Sequence, residues 1–296
     1  MPPVAARTPA AQSPRCADLT ESVSAADSPT DLLGLAVATA REAGELIASM
    51  RSSGVDVADT KTSPIDIVTE ADRTCEQLIR KRLLGARPDD AFIGEESVGE
   101  EGGDVPSTSG VTWIVDPIDG TVNYLYGLPN YAVSIAAERG GQVVAGVVRS
   151  PLPDVEYAAT LGGGATLNGV PVRVRSTPPI DQTLVATGFS YESAIRARQG
   201  RAVARMLPQV RDIRRQGSCA LDLCLVASGQ SDAYVEEGAH VWDYAAGGLV
   251  ATEAGATFEV WTTTAGRDLV VCAPTPGWGI FSALVKSCGF LGDLPD

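Results

Sequence analysis

Leu32, Leu35, Ala36, Ala43, Ile47 and Met50 recur at helical spacing behind Ser28-Pro29-Thr30-Asp31. Serine at the N-cap, proline at N1 and an acid at N3 form a strong helix start. A second helix is predicted from about Glu70 to Leu84, with Ala71, Cys75, Leu78, Ile79 and Leu83 as its buried stripe and Gly85 as its C′ glycine. Short apolar runs at Ala91–Ile93 and Val111–Val115 read as strands. Tyr131–Glu138, Gly140-Gly141 and Val143–Arg149 read as a hairpin, and Asn168-Gly169 as another tight turn. From about Leu184 strands and helices alternate: a strand at 184–187, a helix through 201–207, a strand near Asp212 and a helix over 221–227. A strand at 233–236, a helix from near Trp242, a strand at 270–273 and a last helix at 280–286 follow. The first half is therefore α+β with antiparallel sheet and the second half α/β. No long linker divides them, so the pattern predicts one globular unit of two lobes, about 28–180 and 181–296. Val98–Gly110 reads as a surface loop. Residues 1–27 are rich in Pro, Ala and Ser and read as a disordered tail, with a docking or regulatory role as the alternative.

Composition narrows the chemistry. With 44% apolar and 20% charged residues in 296, a sizeable core can form. The formal charge is -14, which argues against general nucleic-acid binding. It leaves room for a phosphorylated small molecule, because divalent cations reverse the local field. A single histidine, His240, excludes a zinc site of two or three His and any mechanism needing a His nucleophile plus a second His. The six cysteines form no C-x-x-C pair, and none has Arg six residues on. They read as reduced thiols of a cytoplasmic protein. No run of about 20 apolar residues is present, so no membrane span is expected.

Three stretches carry candidate chemistry: Gly94-Glu95-Glu96-Ser97, Asp116-Pro117-Ile118-Asp119-Gly120-Thr121 and Trp242-Asp243. Each puts carboxylates at the end of a strand or the start of a helix, where open sheets bind ligands. In the second, a proline turn can aim two Asp and the Ile118 carbonyl into one space, and Gly120 lets the chain approach closely. The N–H groups of a helix starting at Thr121 suit phosphate. Two bare carboxylates ~4 Å apart repel by roughly 4 kcal/mol at an effective dielectric near 20, and magnesium relieves this. Each stretch alone has a plainer reading. D-x-x-D-G-T can be a capped turn, and Glu95 and Glu96 a solvated loop. Asp72, three residues after Thr69, can be a capping-box acid, and His240 a structural residue. Gly162-Gly163-Gly164 lacks a following Gly-Lys-Ser/Thr and is not a nucleotide loop.

Together these stretches resemble the inositol monophosphatase family of magnesium-dependent, lithium-sensitive phosphatases. The resemblance rests on W-I-V-D-P-I-D-G-T-V-N-Y at 113–124, W-D-Y-A-A-G-G at 242–248 and G-E-E-S at 94–97, and covers everything beyond the tail. It implies a five-layer αβαβα fold of the sugar-phosphatase type and a commonly homodimeric protein. It also implies Mg2+ ligands at Glu95, Asp116, the Ile118 carbonyl, Asp119 and Asp243, with Asp116 bridging two metals. By the same resemblance Thr121 and Asp72, with Glu95, orient the attacking water, with Glu96 beside them and Lys61 near the metals. Gly120 and Thr121 give N–H groups to the phosphate, Glu236 bonds substrate hydroxyls, and Ser218 and Cys219 line the sugar pocket. Cys219 stands where the family often has Ala.

The implied activity is hydrolysis of inositol monophosphate by a metal-activated water. Histidinol phosphate, fructose 1,6-bisphosphate and 3′-phosphoadenosine phosphate are substrates of neighbouring members. Readings from other classes are a regulatory partner of the transcription machinery, and a sugar- or cation-binding module without turnover. Arg196, Arg198, Arg201, Arg205, Arg211, Arg214 and Arg215 are opposed in sequence only by Asp212. They read as a solvated helix face with subunit contacts, or as a site for a second anionic group or RNA.

Overall fold

The computed structural model describes residues 28–52, 57–60, 67–97 and 107–292. The tail and Lys61 lie outside the described residues, as does most of the loop expected at 98–110. The first elements are α1 (Pro29–Ser52), β1 (Val57–Thr60), β2 (Ile67–Thr69), α2 (Glu70–Ala86), β3 (Ala91–Gly94), β4 (Val111–Asp119) and α3 (Thr121–Tyr126). Then come β5 (Ala132–Arg139), β6 (Gln142–Pro151), β7 (Asp154–Thr160), β8 (Gly164–Leu167) and β9 (Val170–Val172). The rest are β10 (Leu184–Thr187), α4 (Ser193–Met206), β11 (Asp212–Arg214), α5 (Cys219–Ala227), β12 (Ala233–Glu237), α6 (Val241–Glu253), β13 (Ala256–Thr262), β14 (Asp268–Pro274) and α7 (Trp278–Cys288).

A seven-stranded sheet runs β3-β4-β5-β6-β7-β8-β9, and a five-stranded sheet runs β11-β10-β12-β14-β13. The first is antiparallel except for β3 beside β4. In the second, β11, β10 and β12 are parallel and β14 and β13 antiparallel to their neighbours.

Both sheets are buried on two faces, and residue alternation sorts their side chains between two seams. On β4 and β5, Trp113, Val115, Val133 and Ile135 face α1 and α2, whereas Ile114, Ala132 and Ala136 face α5 and α6. On β12 and β14, Tyr234, Val270 and Cys272 join that same central core, whereas Val235, Leu269 and Val271 face α4 and α7. The order is thus helices, sheet, helices, sheet, helices: the five-layer arrangement expected.

The middle layer is tight, and small residues allow it. Ala245, Ala246, Gly247 and Gly248 of α6 are buried. A Cβ at Gly146 of β6 would stand 3.0 Å from Ala246 Cα, and one at Gly247 would stand 3.0 Å from the Ala220 carbonyl. The A-A-G-G half of the W-D motif therefore serves packing.

Some local expectations change. Gly85 lies inside the last turn of α2, whose cap is Arg87. The helix expected through 201–207 begins at Ser193; Arg196 and Arg198, two residues apart and on different sides of the helix, break up its apolar period. Strands β1, β2, β7, β8, β9 and β13 fall where the sequence pattern predicts no strand. The proline turn is absent: β4 continues through Pro117 to Asp119, with Asp116 opposite Ser134 and Asp119 opposite Ala132. Three steps on β4 match two on β5, which is a bulge.

Candidate active site

That bulge is the local origin of the site. Residues three apart on a regular strand point to opposite faces. The inserted residue brings Asp116 and Asp119 to the same space. Gly120 then takes φ +97, and a Cβ there would lie 2.8 Å from the Asn130 carbonyl, so only glycine fits. The chain turns at once into α3.

Carboxylate oxygens of Asp116, Asp119 and Asp243 lie within 4.8 Å of one another. Glu95, at the end of β3, lines the same cleft, whose volume is about 370 Å³. Ile118, Gly120, Thr121, Cys219 and Glu236 line it too.

Helix starts hold these acids by one oxygen each. Asp119 Oδ2 accepts from Ser218 Oγ at 2.5 Å and from the Ala220 N–H at 2.7 Å, at the start of α5. Asp243 Oδ2 accepts the His240 N–H at 2.6 Å at the start of α6. Asp72 Oδ2 accepts the Thr69 N–H at 2.8 Å at the start of α2. Orphan N–H groups and the helix dipole favour a carboxylate at each point. The second oxygen of Asp119 and of Asp243 takes no hydrogen bond from these helix starts. Asp116 Oδ1 accepts the Ile118 N–H at 2.9 Å.

The cluster is electrostatically unfavourable without a cation. Burial first, and then the charges of Glu95, Asp119 and Asp243, push Asp116 well above the usual carboxylate range. Burial, Glu95 and Asp119 do the same to Asp243. Asp119 is pushed up to about 7 by burial, although its bonds to Ser218 and Ala220 pull the other way. Asp72 also reaches about 7, through burial and the charges of Glu95 and Glu96. All the converging donors are carboxylate or carbonyl oxygens, a set that suits a hard divalent ion.

Asp72 does both things open to it. One oxygen caps α2, and Oδ1 stands 3.2 Å from Thr121 Oγ1. Thr121 Oγ1 also stands 3.1 Å from the Ile118 carbonyl, and its single proton serves one acceptor at a time. Glu96 donates its N–H to Glu76 Oε2 at 2.8 Å, so buried Glu76, overlooked in the sequence, braces the G-E-E-S turn.

Ser218 is the N-cap of α5, only 2% exposed, and its hydroxyl is spent on Asp119. Cys219, next in the chain, reaches the cleft. Glu236 lines it with Oε2 held by Tyr234 Oη at 2.6 Å. Burial raises its pKa, while Tyr234 and then Arg215 oppose that. His240 is the N-cap of α6 and stacks on Trp242 at 4.8 Å. The arginine cluster disperses: Arg198 is ion-paired to Glu237, Arg196 bonds the Ser190 carbonyl, and Arg211 bonds the Gln182 carbonyl. Arg215 and Arg267 line the cleft, and so do Tyr191 and Glu192. None of these four was a candidate cleft residue. Their signal is three-dimensional, since each sits in a loop without a motif.

An αβαβα fold with carboxylates gathered at strand ends, beside a free helix start, defines a phosphatase of the sugar-phosphatase architecture. The profile described as the inositol monophosphatase family matches residues 28–279, and the chain belongs to that family. Inositol-1-monophosphatase SuhB of Mycobacterium tuberculosis is 44% identical over 236 residues, 77% of this chain and 81% of that protein. A protein of Xylella fastidiosa named Nus factor SuhB is 38% identical over 224 residues, 75% and 79% of the two chains. The solved structure of Mycobacterium tuberculosis SuhB superposes with a TM-score of 0.76 at 38% identity, covering 90% of this chain and 99% of that one.

Proposed function

We propose that this enzyme hydrolyses a polyol monophosphate, inositol monophosphate first among them, with Mg2+ as cofactor. One observation carries the reading: three carboxylates converge within 4.8 Å, two of them anchored by one oxygen to a helix start. Glu95, Asp116, the Ile118 carbonyl, Asp119 and Asp243 are the residues that would hold the metal. A divalent ion there supplies Lewis acidity, offsetting charge on the ester and lowering the pKa of a water.

The protein's own part is proton handling and placement. With the Thr121 hydroxyl donating to Asp72 Oδ1, its lone pairs are left to accept a proton from the attacking water. Asp72, a buried carboxyl whose Oδ1 faces that hydroxyl, is the acceptor to which the proton passes. Gly120 and the first N–H groups of α3 receive the phosphate. Glu236 takes a hydroxyl of the leaving group, and Cys219 shapes the wall beside it. Glu96 and Lys61 complete the surroundings. No step uses a thiolate or an imidazole.

We further take the chain as a homodimer of the cytosol, its two lobes meeting at the cleft. Among the described residues, five cysteines are unpaired and buried. Among the described residues no helix is long and apolar enough to cross a membrane. A second reading, a contact with the transcription machinery, is favoured by the Nus factor name of one relative.

The test is phosphate release from inositol 1-phosphate, histidinol phosphate, fructose 1,6-bisphosphate and 3′-phosphoadenosine phosphate, with magnesium, with chelator and with added lithium. Inositol 1-phosphate is expected to lead, with activity lost in chelator. Release from none of them refutes the proposal.

A further inference from the structure

The cleft wall holds far more acid than base, and its guanidinium groups are those of Arg215 and Arg267. Arg267 is ion-paired to Glu192, and Glu237 to Arg198. Arg215 is the exception. It lines the cleft, and among the described residues its guanidinium makes no hydrogen bond and no ion pair. Its charge acts on two carboxyls, Glu236 and Asp222. Asp222 is fully buried, with neither oxygen hydrogen-bonded.

The backbone next to this arginine is fixed. Asn123 Nδ2 donates to the Gln216 carbonyl at 2.7 Å and to the Asn130 carbonyl at 2.7 Å. Asn130 Nδ2 donates to Gln216 Oε1 at 2.9 Å. Gln216, the residue after Arg215, is thus clamped to α3 and to the loop that follows α3. Gly217 leaves room for the guanidinium, since a Cβ there would collide with Arg215 Nη1.

Opposite stands Glu236. Tyr234 occupies its Oε2, and the bare backbone of Gly188 makes room for the carboxylate. The cleft therefore presents an acceptor with one oxygen uncommitted beside a fork of five unspent donors. A single alcohol needs one of these. Two neighbouring hydroxyls, one donating and one accepting, use both.

We infer that Arg215 is a substrate-binding residue that, together with Glu236, takes adjacent hydroxyls of a polyol phosphate and so selects such esters over simple ones. This rests on the phosphatase reading and adds a residue to it. A charge-assisted hydrogen bond of this kind is worth about tenfold or more in binding.

The experiment compares wild type, Arg215→Ala and Arg215→Lys on inositol 1-phosphate and on p-nitrophenyl phosphate, which has no ring hydroxyls. The ratio of the two kcat/KM values is expected to fall about tenfold or more in Arg215→Ala, mostly through KM, and to recover in part in Arg215→Lys. Calorimetric titration with inositol 1-phosphate reads the same contact without turnover and is expected to show a matching loss. An unchanged ratio overturns the inference, whether both activities fall together or neither does. A larger loss on fructose 1,6-bisphosphate than on inositol 1-phosphate overturns the hydroxyl assignment. Turnover of p-nitrophenyl phosphate with no wild-type preference for the polyol ester overturns the inference while the phosphatase reading stands. Release from no ester overturns the phosphatase reading, and the titration then decides on Arg215, an equal Kd in wild type and Arg215→Ala counting against it.

Discussion

Replacing Asp119 by Asn separates a carboxylate that holds a metal from one that only supports the fold. The amide keeps a carbonyl oxygen for Ser218 Oγ and the Ala220 N–H, so the cap of α5 survives. It removes a negative charge lying within 4.8 Å of Asp116 and of Asp243. At that separation two unit charges repel by about 3 kcal/mol at an effective dielectric near 20. Partial protonation already relieves some of this, since Asp119 sits at about 7. A net gain of about 2 kcal/mol remains, or roughly 3 °C in Tm for a chain of this size. In chelator at neutral pH, Asp119→Asn should therefore melt above wild type. Adding magnesium should raise the wild-type Tm and leave the variant nearly unmoved, and phosphate release should fall by a factor of about a hundred or more. Thermal melts with and without magnesium, paired with a phosphate assay, check all three. A variant that melts below wild type in chelator, or that keeps the full magnesium shift, refutes the reasoning.

Thr121→Val should lower kcat about a hundredfold with little change in KM, while Thr121→Ser keeps most of the rate, as steady-state kinetics will show. Without metal, stability should fall as pH rises from about 4 to about 7. Asp72 and Asp119 are pushed up to about 7, so the folded state binds more protons than the unfolded chain in that window. Melts across pH in chelator test this, and a Tm that rises through the window contradicts it. Gly146→Val should destabilise by about 2 kcal/mol or more, because even a Cβ would meet Ala246 Cα at 3.0 Å. Denaturant unfolding measures it, and a neutral result would mean that α6 packs more loosely on β6 than described.

Much of this molecule is written locally. The apolar period behind Ser28, the hairpin at 131–149 and the acids that open α2 and α6 depend on near neighbours, and the structure has them as elements. Strands β7 and β8 escape the sequence reading because short strands flanked by polar turns carry a weak period. Asp72 shows how a local reading can be true and incomplete. Its capping bond to Thr69 is three residues away, whereas its second oxygen meets Thr121 across the fold.

The chain alone determined most of the helices, the longer apolar strands and where carboxylates gather at their ends, because hydropathy period and capping act over a few residues. Only the tertiary structure decided how those carboxylates meet. The bulge that turns Asp116 and Asp119 to one side exists because β5 pairs out of step with β4. Asp119 is anchored by Ser218 and Ala220, about a hundred residues on. Among arginines that look alike in sequence, packing spends Arg198 on Glu237 and leaves Arg215 with its donors toward the cleft. Charge pairing depends on distance in space, and the chain specifies that distance only after its layers have closed.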